Sequence, residues 1–269
     1  MATKNKTARA KTKTAAKKTA RKTTTKKSTA TRAKASRAKS VSKKPQAKKS
    51  TARKAADVFM SLKNWNLSLS VLHAVQAIAM AFLARDFRLP IDMGYLTFNS
   101  STENLETVSR TIVDVPLAWI VIAFLAMSAI AHGIIAGPWF ENYKADLKKG
   151  MNRARWFEYA LSASTMMVAI ALLTGISSLG ILIGIFVLTA VMNLMGLVME
   201  VHNQDTKSTN WLSFCVGCLA GIEPWIIIGL YFLANWLYAS GNPPTFVYFI
   251  YISIFLFFNC FAINMWLQY

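Results

Sequence analysis

Acidic residues are scarce in this chain. Only 12 Asp and Glu stand against 31 Lys and Arg in 269 residues, a formal net charge of +19. Charged residues of both signs together reach 16%, below the roughly 25% of a soluble domain. That deficit excludes an ordinary soluble globular enzyme and a coiled coil. Cysteine is equally sparse: Cys215, Cys218 and Cys260 all lie in apolar runs, so the disulfide framework of a small secreted domain is excluded. No apolar stretch precedes about Trp65, too late for a cleavable signal peptide; that stretch is expected to insert and stay. No hydrolase triad, phosphate loop or metal-ligand spacing is present, so neither a conventional enzyme nor a metal site is expected.

The charge is unevenly placed. Residues 1–63 hold 22 Lys and Arg and one acid, Asp57, whereas residues 64–269 hold 9 basic residues and 11 acids. The first segment, built from Lys, Arg, Ala, Thr and Ser, has almost nothing to form a core with. It reads as a disordered cytoplasmic tail over 1–63. Its partner is expected to be an anionic lipid surface, with nucleic acid as the alternative; no aromatic residue precedes Phe59 to stack on bases.

Residues 64–269 read as an all-α, polytopic membrane helix bundle. A span needs about 20 mostly apolar residues, and six segments qualify: 65–84, 115–137, 156–174, 179–199, 211–237 and 245–267. The joints are Arg85–Pro116, polar and long enough for a short hairpin; Lys144–Arg155, a basic loop; Gly175–Ser178, a tight turn; Glu200–Asn210; and the Gly/Pro turn Ala239–Pro244. Lys and Arg concentrate in the tail and the second loop, which places both in the cytoplasm. An integral multi-pass protein with a cytoplasmic N-terminus follows.

Ionisable groups inside spans are costly and therefore informative. Glu158 follows Trp156, with Ser162 one turn on along the same face. It either balances a buried cation or pairs with Arg155 at i−3. His73 and His132 sit mid-span on the first two helices, close enough in register to approach each other; each is either a satisfied inter-helix bond or a proton site. Glu223 precedes Pro224 in the fifth span, as a bonding partner of a neighbouring helix or a station for a proton. The lone pair Cys215 and Cys218 reads as packing. Phe255 and Phe258 share a face beside Asn259, either as helix packing or as the wall of a flat apolar ligand.

Four stretches together resemble the heliorhodopsin family of retinal proteins: RARWFEYALSAS at 153–164, SAIAHGI at 128–134, GCLAGIEPW at 217–225 and FVYFIYISIFLFFNCFAINMWLQY at 246–269. The first carries the family's third-span pattern R-W-x-E-Y-x-x-S-x-S. The resemblance covers about Trp65 to Tyr269 and implies a rhodopsin-like bundle of seven helices, inverted so that the N-terminus is cytoplasmic. It implies retinal as cofactor, held as a Schiff base on a seventh-helix lysine with the third-span Glu, here Glu158, as counterion. His73, His132 and Ser128 match its polar neighbours. Phe255, Phe258 and Asn259, with Met192 and Gly196 on the fourth span, match the retinal pocket. The implied role is light sensing and signalling rather than pumping, in a homodimer. The sequence departs from the family in one respect. It holds six of seven spans and no membrane lysine, the last lysine being Lys207. It is expected to be a truncated member unable to form the covalent bond itself. A light-gated proton channel using Glu223, and a membrane tether whose working part is the tail, are the competing readings.

Overall fold

The computed structural model describes residues 44–239 and 245–269, with side chains from residue 55. The tail expectation for residues 1–43, and most of the Ala239–Pro244 turn, lie outside the described residues. Seven helices and one hairpin follow in order. They are α1 (Lys44–Leu83), β1 (Arg88–Asn99), β2 (Asn104–Pro116), α2 (Leu117–Ala136), α3 (Phe140–Lys148), α4 (Arg153–Leu173), α5 (Leu179–His202), α6 (Leu212–Tyr238) and α7 (Thr245–Gln268). Six of them, all but α3, are long and apolar enough to cross a membrane. Many large apolar side chains are exposed on these helices, Phe157, Leu161, Leu219 and Phe257 among them. In lipid such a surface carries no penalty, and helices that satisfy their own backbone are the fold the medium allows.

The helix ends follow local chemistry. Pro116 closes β2 and sits at the start of α2. The Asn152 side chain accepts from Arg155 N at 3.2 Å and caps α4. At the other end of α4, Gly175 takes φ +87°, while Ile176 N bonds Ala171 O and Gly175 N bonds Leu172 O. This is a Schellman stop, and it turns Ile176 inward with no exposed surface.

The tail boundary and three joints differ from the sequence expectation. The helix of the first span begins at Lys44, inside the stretch expected as tail, because Ala, Lys and Arg are good helix formers and extend a helix already nucleated in the span. The basic loop at Lys144–Arg155 is largely helical. Its α3 buries Tyr143 and Asp146, and Arg153 forks onto Asp146 at 2.8 and 2.9 Å. The fourth joint begins late, since α5 runs through Glu200 to His202.

The Arg85–Pro116 joint carries β1 and β2, paired antiparallel from Arg88↔Pro116 to Asn99↔Asn104, with a register shift at Ile91/Asp92. The hairpin is longer than the short one expected. Asp92 N bonds Ser177 O at 2.8 Å, which ties its base to the α4–α5 turn. Below it lies the larger core, where Met167, Ala171 and Leu172 of α4 meet Ile185 of α5 and Trp225 and Ile228 of α6. A smaller cluster of Trp156, Met199 and Met265 holds the opposite end.

Candidate functional site

Helical spacing builds the site. Ser128 and His132 are one turn apart on α2, and Glu158 and Ser162 one turn apart on α4. Where α2 and α4 pack, both serines converge on one atom: Ser128 Oγ and Ser162 Oγ each donate to Glu158 Oε1 at 2.6 Å. Short bonds of this kind are those of a hydroxyl to a charged or strongly accepting oxygen. Among the described residues no Lys, Arg or His forms an ion pair with Glu158. The expected alternative, a pair with Arg155, is corrected by the structure. Arg155 instead reaches Glu200 on α5 at 2.5 Å, and Glu200 Oε2 accepts Asn152 N at 2.7 Å. Glu200 is 1% exposed; an anion sunk that deep requires a cation and donors, and Arg155 is the cation that α4 presents to it.

One turn along α2 from Ser128 the two histidines meet. The rings of His73 and His132 stack at 5.8 Å with an interplanar angle of 14°. His132 Nδ1 lies 2.8 Å from Asn66 Oδ1, and His73 Nδ1 lies 3.0 Å from Gln76 Oε1. Ser70 Oγ donates to Ala129 O at 2.7 Å, where Gly133 leaves the room for α1 to approach. Asn66 was not singled out from the sequence, yet it had a signal. Asn66, Ser70 and His73 lie at i, i+4 and i+7, one polar stripe along an apolar helix.

The remaining candidates lie apart from this cluster. Phe255 and Phe258 of α7 both meet the Trp225 ring edge-on, at 5.2 and 5.4 Å. Trp225, 4% exposed, is the hub that sequence reading missed. Asn259 satisfies itself on Phe255 O at 2.8 Å. Trp225, Phe258 and Asn259 border a cavity of about 450 Å³ between α6 and α7, together with Cys218 and Gly221. Met192 packs its side chain against Gly221 of α6, and Gly196 lies under the Trp156 ring with no space for a Cβ. Both are engaged in helix–helix contact. Cys215, Cys218 and Cys260 are free and exposed, so the first two are not packed as expected. Glu223 leaves Oε2 buried without a partner among the described residues. Beside Glu158, a second cavity of about 390 Å³ runs between α2 and α4, lined by Ile130, Ile134, Phe157 and Leu161.

Six apolar spans and a serine-bonded carboxylate, unpaired among the described residues, define an integral multi-pass membrane protein of rhodopsin-like build. The sequence model of the heliorhodopsin family matches residues 62–269, and the chain belongs to that family of retinal-type membrane photoreceptors. Comparison with curated proteins returns no match.

The family's cofactor is retinal, and the residues present fit it in part. A carboxylate with two donors and no cation of its own suits a cationic linkage. The Trp225, Phe255 and Phe258 rings beside a cavity suit a flat apolar chain. The covalent anchor has no counterpart among α4 to α7, whose stretch of chain holds no lysine beyond Lys207.

Proposed function

We propose that this chain supplies the counterion of a light-sensing retinal protein, with a cytoplasmic N-terminus, that signals rather than pumps. The observation that carries the reading is Glu158: a carboxylate inside the bundle, oriented by Ser128 and Ser162 and left without a cation among the described residues. Retinal, when bound as a protonated Schiff base, supplies that cation and the absorption of visible light. The chain's own contribution is to hold an anion in low dielectric, where it acts strongly on a nearby charge. Ser128 and Ser162 fix Oε1. His132, one turn from Ser128 on α2, and His73 stacked on it are the polar groups next to this pair. Trp225, Phe255 and Phe258 restrict a flat ligand. Signalling is favoured over pumping because the two deeply buried acids, Glu200 and Asp146, are held by Arg155 and Arg153 and are not free to relay a proton. The basic tail fits an anionic leaflet at the same surface.

The test uses the chain as it stands, in lipid nanodiscs, with the preformed Schiff base of retinal and n-butylamine. Wild type is expected to hold it protonated, with a red-shifted visible band, and Glu158→Gln to lose the band at neutral pH. No shifted band in wild type, or an equal band in Glu158→Gln, overturns the proposal.

A second reading, a light-gated proton channel, rests on the unpartnered Glu223 Oε2 near the middle of α6. Vesicles carrying the chain and the same Schiff base are then expected to acidify or alkalise on illumination, and Glu223→Gln to stop this. Flux that is absent, or unchanged by the substitution, removes it.

A further inference from the structure

We infer that Asn66 fixes the tautomer of His132, keeping hydrogen on Nδ1 and leaving Nε2 as the ring's proton-accepting atom. Asn66 is 7% exposed and its two amide ends face different groups. Nδ2 donates to Leu62 O at 2.9 Å, one turn back on α1. Oδ1 faces His132 Nδ1 at 2.8 Å. The amide cannot be turned over without setting its oxygen against the Leu62 carbonyl, two acceptors face to face in a buried place. Oδ1 has no hydrogen to give, so Nδ1 must be the donor. A neutral imidazole carries a single N–H, which leaves the lone pair on Nε2.

Two further contacts hold the pair in register. Ser70 Oγ bonds Ala129 O at 2.7 Å, one turn from Asn66 on α1 and just before His132 on α2. Gly133 permits that approach, for a Cβ there would lie 3.1 Å from Ser70 Oγ. The stacked His73 ring, nearly parallel to that of His132, presents its face rather than a nitrogen, and so does not compete for the Nδ1 hydrogen. His73 itself is differently placed. Its partner Gln76 is exposed and its amide is free to turn over, so nothing fixes His73 in the same way. Asn66 is thus a positioning residue acting through His132. Its bearing on light chemistry rests on the reading of Glu158 above, since His132 is one turn from the Ser128 that bonds Glu158; the tautomer itself does not rest on that reading.

The chain has three histidines, so 15N-histidine labelling of the full chain in nanodiscs gives a spectrum assignable by single His→Phe substitutions. With the rings neutral, wild-type His132 is expected to show a protonated Nδ1 and a bare Nε2. In Asn66→Leu the Nε2–H form, which unrestrained histidine prefers, is expected to become the major signal, and Asn66→Asp, which keeps the acceptor, to retain Nδ1–H. A wild-type His132 carrying its hydrogen on Nε2 overturns the inference whether or not any variant folds, as does an unchanged tautomer in folded Asn66→Leu. Because retinal is not added, failure here leaves the photopigment proposal standing, and its failure leaves this one standing.

Discussion

Arg155 and Glu158 lie three residues apart on one helix, and spacing alone would pair them. The deeper acid takes the cation instead. Glu200 is enclosed by α4 and α5 and accepts from both Arg155 and the Asn152 backbone. Removing one member of such a pair strands the other in low dielectric. Glu200→Ala is expected to destabilise the bundle by about 3–5 kcal/mol, read as a lower Tm in detergent. The double variant Arg155→Met with Glu200→Leu is expected to recover much of that loss, because no charge is left behind. The same contest leaves Glu158 without a cation among the described residues. Its serines were legible in sequence at i+4 and in SAIAHGI, whereas its freedom from Arg155 was not, for that depends on a residue more than forty positions away.

Between elements, the hairpin is bound to the bundle through Asp92 and through Leu89 and Ile91, which pack against the larger core. Asp92 accepts from Thr111 Oγ1 at 2.7 Å, and hydroxyls of Ser177 and Thr111 hold its carboxyl below the usual carboxylate range. Asn99 and Thr102 do the same for Glu106 near the tip. A carboxyl lowered in the folded state contributes stability that is full above its unfolded value, about 4, and that fades as pH falls through the lower folded value. Amide exchange of β1 and β2, corrected for the intrinsic rate, is therefore expected to quicken as pH drops below about 4, and Asp92→Asn to flatten that dependence. The strands could be suspected from the polar joint with its Pro90 and Asn99. Their length and anchoring could not, since the register of a hairpin and the Ser177 contact are set by tertiary pairing.

Across the whole molecule, α2 separates the hairpin from α3. A helix of 20 residues spans about 30 Å, the thickness of a hydrocarbon core. Hairpin tip and α3 must then face opposite compartments, and the proposed orientation puts α3, which leads into the basic run 148–155, on the cytoplasmic side. After replacement of Cys215, Cys218 and Cys260 by Ala, Ser101→Cys is expected to react with an impermeant maleimide in intact cells. Lys149→Cys is expected to react only after permeabilisation. The reverse pattern would invert the proposed orientation.

The six spans, their ends to within a few residues except the start of the first, and the polar positions within them were legible in the sequence alone, because lipid imposes one rule on every segment: long, apolar and self-bonded. Family membership was equally legible, carried by a third-span motif that needs no coordinates. Only the tertiary structure decided which polar groups meet. Asn66 finds His132, Arg155 finds Glu200, and Trp225 gathers the α7 rings. Such pairings depend on how helices rotate and how deep they sit against each other. Small residues at the crossings, such as Gly133 and Gly196, set that geometry, and linear spacing does not encode it.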